Sequence, residues 1–144
     1  MGLVAGVDSH RMNYKVFTRH LRNLNDNRKA LSDLAFELDN IMYDLQGVKG
    51  ISYDEHHSST NLALKEEKKL EMIEKYNRKV AEYDSTKDQI NMVEDILTRM
   101  PEELQTMLTE VYIKNMTFRS VGLRHNYSDH GLWKMLKRET EKYL

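Results

Sequence analysis

The chain contains no cysteine and only one proline, Pro101, among its 144 residues. Without cysteine there is no disulfide, no thiolate zinc site and no cysteine nucleophile, and this absence fits a reducing compartment. No segment approaches the roughly 20 apolar residues that span a bilayer, and the first residues lack the pattern of a secretion signal. We therefore expect a cytoplasmic protein without membrane contact.

Glycine is also scarce, with six in the whole chain, so the turns that separate short strands should be rare. Two long segments instead show apolar residues at helical seam spacing, which predicts long helices packed along a partner. In residues 11–46 these are Phe17, Leu21, Leu24, Leu31, Leu38, Met42 and Leu45. In residues 61–100 they are Leu70, Ile73, Val80, Tyr83, Ile90, Val93, Leu97 and Met100.

The segment between the two patterns, residues 47–60, is predicted to be a connection. Gly47 and Gly50 favour the end of the first helix, because glycine readily adopts the left-handed conformation found there. Two helices of similar length joined in this way predict an all-α fold with a long antiparallel helical hairpin. A coiled coil formed between two chains is the alternative.

Pro101 marks the predicted domain boundary. It disfavours helical geometry at Met100 and suits the first turn of a new helix, where Glu102 and Glu103 lie near the positive helix end. We predict a dimerisation or docking arm over residues 1–100 and a separate module over residues 101–144.

The module is predicted to contain three helices. The first buries Leu104, Met107, Leu108, Val111 and Tyr112, which share one helical face. The features that then predict a helix-turn-helix are Thr117 as the cap of a short helix, Gly122 where another helix packs closely, Asn126 in a left-handed turn and Ser128 as the cap of the last helix.

The stretch from Val111 to Gly122, followed by Asn126, Tyr127, Ser128 and Leu132, resembles the DNA-reading domain of bacterial sigma factors. With its helical first half and the segment from Gly47 to Asp54, the chain is similar to phage-encoded regulators of the ArpU and RinA type. It departs from the pattern at Asn126, where the usual residue is glycine, and at Gly131 in the final helix. The resemblance implies control of phage transcription in a bacterial host cell.

The charge distribution favours the same function. The whole chain has a net charge of -1, whereas residues 114–138 carry six basic side chains and one acidic one, a net charge of +5. In a helix-turn-helix the first turns of the last helix face base edges, so Asp129, His130, Trp133, Lys134 and Lys137 form the predicted groove-reading set. Arg119 and Arg124 are expected at phosphates, and Ser128 and Arg138 complete the predicted DNA-binding residues.

Two of these assignments have competing interpretations. The basic side chains could form an ordinary solvated face. Trp133 follows Leu132, so it could cover the edge of the core or touch a thymine methyl group, and core packing is the interpretation that we favour.

Catalytic and metal sites are not predicted. His56 and His57 lie beside Asp54 and Glu55, but adjacent residues rarely converge on one ion, so we expect a polar connection without metal. The chain has no nucleotide-binding or nucleophile motif, and its glutamates alternate with lysines in a way typical of helix-stabilising pairs. We expect neither an enzyme nor a cofactor.

The sequence thus predicts a transcriptional regulator that binds double-stranded DNA with its last helix. A single module buries little surface on DNA, so a homodimer or a contact with RNA polymerase is expected to supply the remaining specificity. The alternatives are a small terminase-like DNA-packaging component and a protein-interaction coiled coil that does not bind DNA.

Overall fold

The computed structural model describes residues 12–51 and 59–144, and it describes side chains for residues 12–47 and 63–144. Two long helices come first, α1 (Tyr14–Ile51) and α2 (Ser59–Thr98). They are followed by α3 (Glu102–Leu108), a π-helical turn (Thr109–Ile113), α4 (Phe118–His125) and α5 (Asp129–Glu141). The described residues contain no strand, and the predicted all-α fold, with a helical hairpin followed by a three-helix module, is confirmed.

The chain divides into two compact units. One unit contains the described residues up to Asp26 together with Gln89–Leu144, and the other contains Asn27–Asp88. Helices α1 and α2 contribute residues to both units. The proposed boundary at Pro101 therefore lies within the first unit, where it separates α2 from α3.

The unit Asn27–Asp88 is an antiparallel pair of helices. Lys79 Nζ lies 3.0 Å from Glu37 Oε2. Towards the end of α1, Ile41 lines a groove with Lys75 of α2, whereas Ala30, earlier in α1, lines another with Thr86. Residues late in α1 thus lie beside residues early in this part of α2, as an antiparallel pair requires.

Helix α1 does not end where its glycines suggested. It continues through Gly47 and Gly50 to Ile51, so the predicted helix end at Gly47 is wrong. A Cβ atom at Gly47 would have no neighbour within 4 Å. Each glycine within a helix costs only about 1 kcal/mol, which a long helix tolerates at two positions near its end. The predicted connection is correspondingly shorter, and residues 52–58 lie outside the described part of the chain.

The core of the other unit joins the first turns of α1 to the C-terminal module. Its fully buried side chains include Phe17, Leu21 and Leu24 of α1 and Leu132 and Leu136 of α5. The hydroxyl groups of Tyr14 and Tyr112 are 2.6 Å apart in a buried hydrogen bond. These contacts place the first turns of α1 in the same core as the module.

None of the described helices has the length and apolarity needed to cross a bilayer.

Candidate nucleic-acid interface

Local capping interactions fix the start of α4 and of α5. The Thr117 hydroxyl accepts a hydrogen bond of 3.0 Å from the Ser120 backbone N–H. At the next helix the Ser128 hydroxyl accepts one of 3.0 Å from the Gly131 N–H. Both caps were predicted from the sequence, and both are confirmed.

The turn between α4 and α5 is also built as the sequence predicts. Asn126 has φ 65° and ψ 40°, which is left-handed geometry. The Tyr127 N–H donates to the Gly122 carbonyl at 2.8 Å, so the end of α4 is hydrogen-bonded to the turn. Asparagine is one of the few residues other than glycine that adopts this conformation readily.

Gly122 is required by close packing against this turn. A Cβ atom at this position would lie 2.5 Å from the carbonyl oxygen of Tyr127, closer than any ordinary contact. The sequence predicted the approach of another helix at Gly122. The structure shows that the backbone of the turn approaches instead.

The exposed face of α5 carries most of the predicted DNA-binding residues. His130, Trp133, Lys134 and Lys137 recur at helical spacing, and all four are exposed. The remaining predicted residues are exposed as well: Arg119, Arg124, Ser128, Asp129 and Arg138. Among the described residues, neither Arg119 nor Lys134 has an ion-pair partner. Both side chains are therefore available to an external anion.

Trp133 lies on this face next to the buried Leu132. It is 40% exposed, so its side chain covers part of the protein surface and also presents surface to solvent, and both interpretations of Trp133 stay predictions. The His130 ring stacks near it, with an interplanar angle of 14° and a centroid separation of 6.2 Å. Lys137 Nζ lies 5.5 Å from the centroid of the Trp133 ring.

Asp129 and Arg138 lie at the margins of this face. The Asp129 carboxylate accepts a hydrogen bond of 3.2 Å from the N–H of His130, which is its own neighbour at the start of α5. Arg138 borders a groove of about 300 Å³ between α3 and α5, where Met107 and Tyr127 also contribute to the lining.

A buried carboxylate that was not predicted from the sequence, that of Glu110, holds the end of α4. Glu110 is only 3% exposed, and its two carboxylate oxygens bind the Arg124 guanidinium and His125 Nε2, the latter at 2.9 Å. The hydrogen bond with His125, followed by the charge of Arg124, holds the pKa of Glu110 below its ordinary value despite the opposing effect of burial. Arg124 is thus engaged within the protein, although its side chain remains exposed to solvent.

The sequence signal for Glu110 was its position between Met107 and Val111 on an otherwise apolar helix face. The π-helical turn (Thr109–Ile113) widens the helix at this point, so that the consecutive residues Glu110, Val111 and Tyr112 are all buried. An α-helical pattern does not anticipate three consecutive buried residues. Two residues after the end of this turn, Asn115 is a second left-handed residue, with φ 58°.

Within the described residues, no group of three or more histidine or acidic side chains is placed to hold a metal ion. The histidine pair considered in the sequence, His56 and His57, lies outside the described residues.

No family model, curated protein or solved structure matches the chain.

Proposed function

We propose that this chain is a sequence-specific, double-stranded-DNA-binding transcriptional regulator of phage or prophage origin, without catalytic activity. The observation that carries the proposal is the exposed face of α5, where His130, Trp133, Lys134 and Lys137 lie together at the start of a capped helix. A helix-turn-helix places this part of its second helix in the major groove. The resemblance of residues 111–132 to the DNA-reading domain of sigma factors supports the same assignment and suggests RNA polymerase as a second partner.

The cationic side chains have distinct roles in this proposal. Lys134 and Lys137 reach the groove from α5, and Arg119 contacts a phosphate from α4. Arg124 contacts a phosphate only in the orientation that its ion pair with Glu110 fixes, because its guanidinium already binds that carboxylate. The chain as a whole has a net charge of -1, so its attraction to DNA depends on this one region.

We further propose that two copies of the chain associate through α1. Phe36 and Tyr43 are 68% and 76% exposed. They lie seven residues apart, which places them on one face of the helix. Two such faces packed antiparallel about a two-fold axis would place each Phe36 against the Tyr43 of the other copy, so the surface complements itself. A dimer would supply the second DNA half-site that a single small module needs.

A protein-interaction coiled coil that does not bind DNA is the second candidate. It is favoured by the number of large apolar side chains exposed in the unit Asn27–Asp88, which are Phe36, Met42, Tyr43, Leu64, Leu70 and Ile73. Partner binding by this candidate would require only the two long helices and would persist at high salt, whereas binding through lysines to phosphates weakens steeply as salt rises.

Selection from a random duplex library with the purified full-length chain tests the proposal. We expect enrichment of a defined motif and a loss of affinity of at least ten-fold in the double variant Lys134→Ala/Lys137→Ala, because each phosphate or base contact contributes about 1 kcal/mol or more. Lys68→Ala/Lys75→Ala, which removes two exposed lysines of α2, is the matched control and should bind normally. Failure to enrich any motif, or equal losses in both double variants, would contradict the proposal.

A further inference from the structure

We propose that Trp133 recognises the C5 methyl group of a pyrimidine in the major groove, either of thymine or of 5-methylcytosine. This inference rests on the proposed DNA-binding function and adds a specific ligand chemistry to it. Trp133 is the largest apolar side chain on the exposed face of α5, and it is surrounded there by polar and cationic residues.

The ring is held in place before any ligand binds. His130 stacks near it with a 14° interplanar angle, and Lys137 Nζ lies 5.5 Å from its centroid. These two residues lie three positions before and four positions after Trp133, on the adjacent turns of the same helix. An indole fixed in this way loses little conformational entropy when it contacts DNA.

The major groove offers one kind of apolar group to such a ring. Base edges present hydrogen-bond donors and acceptors there, except for the methyl group at C5 of thymine, and methylation of cytosine creates the same group. Methyl contact removes apolar surface from water on both partners, whereas an indole facing a polar base edge gains less. Lys134 and Lys137, beside the ring, suit guanine acceptors or phosphates at neighbouring positions.

Two other roles for Trp133 fit the geometry less well. Packing at the edge of the core accounts only for the covered part of the side chain, and its 40% exposure leaves ring surface free for a ligand. Stacking on an unpaired base, as single-strand-binding proteins do, requires an open ring face, and His130 and Lys137 already occupy the space around this ring. The role that fits the geometry best is a contact between the edge of the indole and a base of duplex DNA.

Methyl-specific substitution in the selected duplex tests the inference. Each thymine is replaced in turn by uracil, and each cytosine by 5-methylcytosine, and dissociation constants are measured with the full-length chain. One methyl group corresponds to about a four-fold change in affinity. We expect uracil to weaken binding about four-fold at one position of each half-site if thymine is the ligand. If 5-methylcytosine is the ligand, methylation should strengthen binding by a similar factor.

Variants assign the effect to the side chain. Trp133→Ala should bind the methylated and unmethylated duplexes equally, whereas Lys134→Ala should bind both more weakly and keep their ratio. Leu123→Ala, which removes an exposed apolar side chain from α4, is the matched control and should keep the ratio as well. Circular dichroism establishes that each variant retains its helices.

Intrinsic fluorescence gives an independent readout, since Trp133 is the only tryptophan in the chain. Its emission should change when the selected duplex binds, and the change should be smaller with the uracil-substituted duplex. A selected duplex that binds tightly but shows no methyl dependence at any position would overturn this inference and leave the proposed function intact. A chain that selects no duplex would overturn both.

Discussion

Glu110 shows how a single charged residue can organise the candidate site from within the core. Burying a carboxylate is costly unless its charge is balanced and its oxygens are hydrogen-bonded. Both conditions are met, because Arg124 and His125 bind its two oxygens and Lys114 adds a favourable charge. These bonds tie the last turn of α4 to the π-helical turn and so fix the helix that precedes the turn at Asn126.

Replacing this carboxylate should weaken folding in a pH-dependent way. The folded-state pKa of Glu110 lies below the ordinary value of 4.5, so its contribution to stability is fully present above that pH and is lost as the pH falls through the folded-state pKa. Glu110→Gln should therefore lower the free energy of unfolding by about 2 kcal/mol at pH 7, in line with hydrogen bonds to charged groups. The difference from the wild-type protein should shrink as the pH falls below 4.5.

Urea unfolding at a series of pH values, followed by Trp133 fluorescence, measures this difference. Glu139→Gln is the control, because Glu139 also has a lowered pKa through its bond to Lys142 but lies at the surface, where solvent screens the pair. It should have little effect on stability. A Glu110→Gln effect that stays constant from pH 7 to pH 3 would show that the charge of Glu110 does not stabilise the fold.

At the scale of elements, the features that could be predicted were those specified by residues close in sequence. Each cap, at Thr117 and at Ser128, is one side chain that accepts a hydrogen bond from a backbone N–H three residues later. The turn depends on the backbone angles of a single residue, Asn126. Such signals are present in the sequence itself. They were sufficient to place α4, α5 and the exposed residues of the candidate interface.

The seam of the long helices was harder to predict, because burial there depends on the partner helix. Leu70 and Ile73 were expected in the seam of α2 but are exposed, whereas Leu34 and Ile41, outside the strict pattern of α1, are buried. Lysine takes part in the helix contact, as Lys79 does with Glu37, and the apolar stem of such a side chain can cover a neighbouring helix. A pattern of apolar residues alone cannot locate seam positions filled in this way.

The prediction for the long helices concerns Phe36 and Tyr43 on the exposed face of α1. Phe36→Lys/Tyr43→Lys should convert the proposed dimer to a monomer, because it places charges in an interface that must exclude water. Light scattering should give twice 17.1 kDa for the wild-type chain and 17.1 kDa for the variant. Leu123→Lys, at an exposed apolar position of α4, should leave the dimer unchanged.

The wild-type mass also separates the alternatives. A monomeric wild-type chain at tens of micromolar would contradict the proposed association, and so would a variant that remains dimeric. Eight or more subunits would favour a terminase-like packaging component, which builds a ring.

At the scale of the whole molecule, the two units carry different chemistry. The unit ending at Leu144 contains the capped helices, the buried carboxylate of Glu110 and the exposed face of α5. The unit Asn27–Asp88 contains the exposed aromatic residues Phe36 and Tyr43. The sequence predicts this division of roles but places the first turns of α1 in the arm. The Tyr14–Tyr112 hydrogen bond instead joins those turns to the module, through a contact 98 residues apart in sequence that no local pattern encodes.

We therefore propose that the unit that contains α5 contacts duplex DNA. An NMR titration of the full-length chain with the selected duplex measures that contact residue by residue. The account predicts that the largest amide shift changes occur at His130, Trp133, Lys134 and Lys137 and at the neighbouring turn. Changes concentrated instead within Asn27–Asp88, with the amides of α5 unaffected, would contradict it.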